Sequence, residues 1–183
     1  MHEELILAGF GGQGVMLLGK FLSEAAMEEG KEVSWLPSYG PEMRGGTANC
    51  HVIISDEPIA SPIIAESTIV VALNRPSLEK FEKTLKKDGI LFINSSIINI
   101  EPTRKDIKIY KIPLNDIANR IGTQKVINMI MAGAIIQVTK IINVETMKNV
   151  FEENLTGTKA KFIDLNIKSM SEGMDYIKNN YKI

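Results

Sequence analysis

Near the start of the chain, Gly9-Phe10-Gly11-Gly12-Gln13-Gly14 fits the pattern G-x-G-x-x-G. Glycines at that spacing permit a tight turn and let main-chain N–H groups at a helix start approach an anion. The chemistry on offer at Gly9, Gly11, Gly12, Gln13 and Gly14 is therefore phosphate or carboxylate binding. A nicotinamide dinucleotide asks for more, a carboxylate about 20 residues further on to hold its ribose. The stretch that should supply it, Val33-Ser34-Trp35-Leu36, has none. Three readings stand side by side: a dinucleotide, another anion, or a close strand-to-helix turn with no ligand. Gly14 to Gly19-Lys20 also spells G-x-x-x-x-G-K, but Phe21 replaces the hydroxyl residue that would bind magnesium. The residues between, Val15-Met16-Leu17-Leu18, read as helix core, so this is not a P-loop.

A second group of functional side chains lies in Pro37-Ser38-Tyr39-Gly40-Pro41-Glu42-Met43-Arg44-Gly45-Gly46-Thr47-Ala48-Asn49-Cys50. Tyr39, Glu42 and Arg44 fall within a few residues of one another, with Gly45 and Gly46 beside the guanidinium and Asn49 just beyond. A planar guanidinium between small residues suits a carboxylate or a phosphate. The plainer alternative is a solvated turn with a local Glu42–Arg44 pair. Cys50 and His51 are adjacent, so in a strand they point to opposite faces and cannot clamp one metal. With two histidines in the chain, no serine, histidine and acid arrangement offers itself.

These groups need elements to position them. Leu5-Ile6-Leu7-Ala8 is a short apolar run ending in glycine, the mark of a strand buried on both faces. Leu18, Phe21, Leu22 and Ala25 have helical spacing, with Gly30 as a stop. Glu32 to Leu36 reads as a strand, Pro37 to Gly46 as a loop, and Thr47 to Ser55 as another strand. Further strands fit Ser67 to Leu73, Gly89 to Ile93 and Ile107 to Ile112, with Pro76 in the first turn of a helix. Most of the remainder is helical. Met129 to Ile136 reads as a buried helix, and Ile163, Ile167, Met170, Met174, Ile177 and Tyr181 form one helix face. This alternation predicts a single domain over 1–183: a three-layer α/β fold with a mostly parallel, Rossmann-like sheet and helices on both faces.

The bulk numbers narrow the field. A net charge of -1 from 21 basic and 22 acidic residues gives no general attraction to nucleic acid. One cysteine excludes an internal disulfide and an all-cysteine iron–sulfur site within this chain. No apolar run approaches the ~20 residues of a membrane span. The acidic start, Met1-His2-Glu3-Glu4, is unlike a secretory signal, so a cytoplasmic location is expected.

Taken together, Gly-Phe-Gly-Gly-Gln-Gly-Val at 9–15 and Tyr-Gly-Pro-Glu-Met-Arg-Gly-Gly-Thr-Ala-Asn-Cys at 39–50 resemble the gamma subunits of 2-oxoacid:ferredoxin oxidoreductases. The likeness runs the length of the chain and is nearest to the 2-oxoglutarate and branched-chain types, with Met43 departing from a position often polar in such proteins. It implies a part in the oxidative decarboxylation of a 2-oxoacid, 2-oxoglutarate first among candidates, to an acyl-CoA with electrons passing to ferredoxin. It also implies a subunit without activity of its own, packed beside alpha and beta subunits and a ferredoxin-like delta subunit where one exists. Thiamine diphosphate, Mg2+ and iron–sulfur clusters would sit in those partners. Coenzyme A would be met at the shared site, by the glycine turn and the loop carrying Tyr39, Glu42, Arg44, Gly45, Gly46 and Asn49. The isolated chain has pairing with itself open to it. The rival expectations are an independent nucleotide-binding oxidoreductase and a small regulatory binding module.

Overall fold

In the computed structural model, residues 1–38 and 47–182 are described. In chain order the elements are β1 (His2–Phe10), α1 (Val15–Glu28), β2 (Glu32–Ser38), β3 (Thr47–Ser55), β4 (Ser67–Ala72), α2 (Arg75–Phe81), β5 (Leu85–Asn94), β6 (Lys108–Ile112), α3 (Leu114–Ile121), α4 (Ile127–Thr139), α5 (Val144–Asn154) and α6 (Ile163–Asn180). The strands form one sheet in the order β2-β3-β1-β4-β5-β6. β3 runs antiparallel to both its neighbours, while β1–β4, β4–β5 and β5–β6 are parallel. The expected mostly parallel α/β sheet is thus present, with β3 the one reversed strand.

The expected loop starts later than its composition suggested, because Pro37 and Ser38 belong to β2, opposite Cys50 and Asn49. β2 is an edge strand, and an edge needs donors on one side only, so proline is tolerated there. Pro76 does begin a helix, and the Asn74 side chain caps it by accepting from Ser77 N at 2.8 Å.

Helices cover both faces, unequally. On one face Leu5, Leu7, Cys50, Val52 and Val71 meet α1 and the α3–α6 layer. On the other, Ile6, Ala8, Ile53 and Val70 meet α2 and the irregular segments around Ile64 and Ile98. α4 is buried nearly throughout, as an all-round apolar helix must be. No helix among the described residues is long and apolar enough to cross a membrane.

Two features of the helical layer depend on distant partners. Tyr181, spaced as part of a helix face, instead leaves the helix in extended backbone. Its hydroxyl accepts from Lys111 N at 2.8 Å and donates to Lys111 O at 3.1 Å, while its ring lies 4.9 Å from that of Tyr110. It thereby satisfies main-chain groups on the β6 edge that no strand reaches. Where α4 crosses α6, a Cβ on Gly133 would fall 1.9 Å from Met170 O, and one on Gly173 would fall 1.9 Å from Ile130 O. Only glycine lets the two backbones touch.

Gly133→Ala tests that crossing. Alanine gains up to about 1 kcal/mol of helix propensity, but forcing the helices apart costs about 1–3 kcal/mol or more. A lowered urea midpoint is expected; an unchanged one would show that the helices part freely.

Candidate functional site

The strand order reverses direction at β1 and β4: the chain goes from β1 toward β2 on one side and enters β4 on the other. In open α/β sheets the crevice at such a point, beyond the carboxyl ends of the strands, is where ligands bind. Gly9 to Gly14 sits there. Phe10 O accepts from Gln13 N at 3.1 Å, closing the turn. The Gln13 side chain then folds back, accepting from Phe10 N at 2.6 Å and donating to Leu73 O at 3.2 Å. A single carboxamide thus ties the end of β1 to the residue after β4. Gly9 has to be glycine for this, since its Cβ would stand 2.7 Å from Gln13 Oε1 and 3.0 Å from Leu73 Cβ.

Gly14 precedes α1 with φ 75°, and no side chain caps the helix there. Its carbonyl accepts from Asn128 Nδ2 at 3.2 Å, and a Cβ would lie 2.4 Å from that nitrogen. Gly12, with φ +94°, faces open space. Gly9, Gln13 and Gly14 therefore have structural duties, and Gly11 and Gly12 are the exposed part of the motif. Beside them a shallow, mainly apolar groove of about 270 Å³ runs past Phe10, Met16, Leu17 and Ala48. None of the described residues lining it is a cation, so an anion would be held by main-chain donors at the start of α1, with apolar wall for a carbon-rich body. A dinucleotide fits poorly, because β2 ends in Leu36-Pro37-Ser38 without a carboxylate.

The same edge continues as a carboxamide network that sequence reasoning missed. Asn94, fully buried at the end of β5, donates to Leu73 O at 3.4 Å and to Asn115 Oδ1 at 2.8 Å. Asn115 in turn donates to Gln124 Oε1 at 2.7 Å. The available signal was modest: an asparagine closing a strand, and Asn128 opening an apolar helix.

Asn49 is buried in β3, opposite Ala8 and Ser38. Tyr39, Glu42, Arg44, Gly45 and Gly46 lie outside the described residues. The flanking register shows where their segment begins and ends, since Ser38 pairs with Asn49 and Thr47 with Phe10. Ser38 and Thr47 themselves lie at the glycine-turn edge.

Cys50 and His51 do take opposite faces. The Cys50 thiol is fully buried and donates to Val15 O at 3.7 Å. Burial pushes its pKa up to about 12, and a hydrogen bond from Trp35 offsets only part of that. Gly19 makes room for it, because a Cβ there would meet Cys50 Sγ at 2.5 Å. His51 is half-buried, with Nδ1 buried and unpartnered among the described residues. Burial, and secondarily the nearby Lys80 charge, hold its pKa below 6.5. Among the described residues no three His, Cys, Asp or Glu converge as a metal would require.

Residues 4–176 match the family model for pyruvate ferredoxin/flavodoxin oxidoreductases. The chain is 34% identical to the ketoisovalerate oxidoreductase subunit VorA of Methanothermobacter marburgensis over 95% of its own length, and spans 36% of that relative. It is also 34% identical to the 2-oxoglutarate synthase subunit KorC of Methanocaldococcus jannaschii, covering 97% of this chain and 95% of that one. The fold superimposes on the gamma subunit of a keto/oxoacid ferredoxin oxidoreductase from Geobacter sulfurreducens with a TM-score of 0.86 and 28% identity, over 100% of this chain and 99% of that one.

Two outcomes follow from the burial of β3. Cys50 in the native chain should react with a thiol reagent at pH 8 far more slowly than in urea; equal rates would show the strand opens readily. For His51, the unfolded imidazole takes up a proton near 6.5 and the folded one only at lower pH. Below about 6.5 the unfolded chain thus binds more protons, so His51 costs stability as pH falls through that window and nothing above it. Urea melts at pH 5 and 7.5 should show a smaller acid loss for His51→Gln than for the wild type, and an equal loss would remove His51 as the cause.

Proposed function

This chain belongs to the pyruvate ferredoxin/flavodoxin oxidoreductase family, and on that footing we propose that it serves as the gamma subunit of a 2-oxoacid:ferredoxin oxidoreductase acting on 2-oxoglutarate. The observation that carries the reading is the match to a 2-oxoglutarate synthase subunit across nearly all of both chains. The enzyme as a whole releases CO2 from the 2-oxoacid, joins the acyl group to coenzyme A and passes electrons to ferredoxin. Thiamine diphosphate, Mg2+ and iron–sulfur clusters belong to alpha and beta partners and to a ferredoxin-like delta subunit, and the complex works in the cytoplasm.

The described edge supports a binding role for this chain. It offers main-chain donors, carboxamides and an apolar wall. Gly11, Gly12 and the start of α1 take a phosphate of coenzyme A at a site shared with the partners. Tyr39, Glu42, Arg44, Gly45, Gly46 and Asn49 form the contact to the partners or to that ligand, Arg44 through its planar fork.

The test is to co-express the chain with its alpha and beta partners and measure complex yield and 2-oxoglutarate-dependent viologen reduction. The complex should reduce the dye and the isolated chain should not. Arg44→Ala should fold normally yet lose about 2–5 kcal/mol of assembly or turnover, the usual cost of truncating one member of a buried charge pair. Arg44→Lys should recover only part of it. Wild-type yield and rate for Arg44→Ala would make Arg44 a decoration of a solvated turn.

A further inference from the structure

Beside Leu17 of α1, the short 3-10 turn Gly157–Phe162 carries no buried residue. A turn this exposed would be expected to show polar side chains, yet Phe162 projects an aromatic ring at 42% exposure. The Lys161 ammonium stands over that ring, 5.2 Å from its centroid. Phe162 forms one wall of a mainly apolar groove of about 210 Å³ with Leu17, Val126, Leu155 and Leu165, and Lys125 stands on its lining. Leu17 is 42% exposed and also lines the groove beside the glycine turn, so the two depressions adjoin. The local charge leans positive, with Glu152 and Glu153 just ahead of Leu155. Lys125, Lys159 and Lys161 make no ion pair within 4.0 Å among the described residues, and Asp164 is the single acid between Leu155 and Lys168.

We infer that this groove receives an apolar side chain from an acidic segment of a partner subunit. The inference rests on the subunit reading above and deepens it by assigning a surface and a partner chemistry. An exposed aromatic walling an apolar depression is the kind of side chain an interface core uses, with the lysines at its polar rim. The uncompensated lysines select negative charge on whatever covers it. Adjacency through Leu17 sets the covering segment next to the glycine-turn groove, so docking here also closes one side of that groove.

The wild-type chain is co-expressed with the alpha and beta subunits and compared with Phe162→Ser, with Lys125→Glu plus Lys161→Glu, and with Lys83→Glu plus Lys87→Glu. The last pair is a control outside the groove lining, since Lys83 follows the end of α2 and Lys87 lies near the start of β5. Phe162→Ser and the groove charge reversal should each weaken the complex by at least about tenfold, the latter less as salt rises. The control should bind as wild type. Lys125→Gln plus Lys161→Gln, with an intermediate loss expected, carries the test if the reversal impairs folding. A photoreactive benzoylphenylalanine in place of Asn166, which also lines the groove, should crosslink to a partner segment with Asp or Glu flanking an apolar residue. Wild-type affinity for both groove variants would overturn the inference while leaving the subunit reading standing, and so would a crosslink to a second copy of this chain. Failure of the wild-type chain to form any complex would overturn the subunit reading itself, and the inference with it.

Discussion

The carbonyl of Leu73 accepts two side-chain hydrogen bonds at the point where the sheet changes direction, one from Gln13 and one from Asn94. A buried carbonyl with both lone pairs used is fixed in orientation, and each donor is held by a further contact: Gln13 by Phe10 N, Asn94 by Asn115. The glycine turn, the end of β5 and the start of α3 are thereby set relative to one another before any ligand arrives. An unmade bond at such a site costs about 1–3 kcal/mol per buried polar group, so the network holds together or fails together. The turn's exposed glycines owe their position to it.

Behind that edge the helical layer is built for rigidity. α4 is buried nearly all round, and its backbone touches that of α6 at Gly133 and Gly173. Close backbone contact leaves little room for sliding, because each neighbouring side chain is already in place. The other face of the sheet is covered by α2 and irregular segments. The two apolar grooves, one beside the glycine turn and one walled by Phe162, share Leu17 of α1.

The chemistry is correspondingly quiet. The one thiol is buried with its proton held to about pH 12 and is used for packing against α1. The histidine beside it, on the opposite face, is kept neutral by burial. Tyr181 hydrogen-bonds a strand edge. Among the described residues Cys50 and Tyr181 are thus used for packing and for holding a strand edge.

Much of this was legible in the sequence, for a definite reason. Strand runs such as Leu5 to Ala8 and the spacing of Leu18, Phe21 and Leu22 report local periodicity, which short-range sterics and burial impose wherever the chain folds. The strand from Thr47 to Ser55 and the buried helix around Met129 to Ile136 were readable on the same ground, and the paired motifs at 9–15 and 39–50 carried the family. What sequence could not supply were contacts between residues far apart in the chain. Gln13 reaches Leu73, Gly19 admits Cys50, Gly133 meets Met170, and Tyr181 leaves its helix to bond Lys111. In each pair the identity of one residue is set by an atom dozens of positions away, so only the tertiary structure could show that Gly9, Gln13 and Gly14 serve packing while Gly11 and Gly12 are left open.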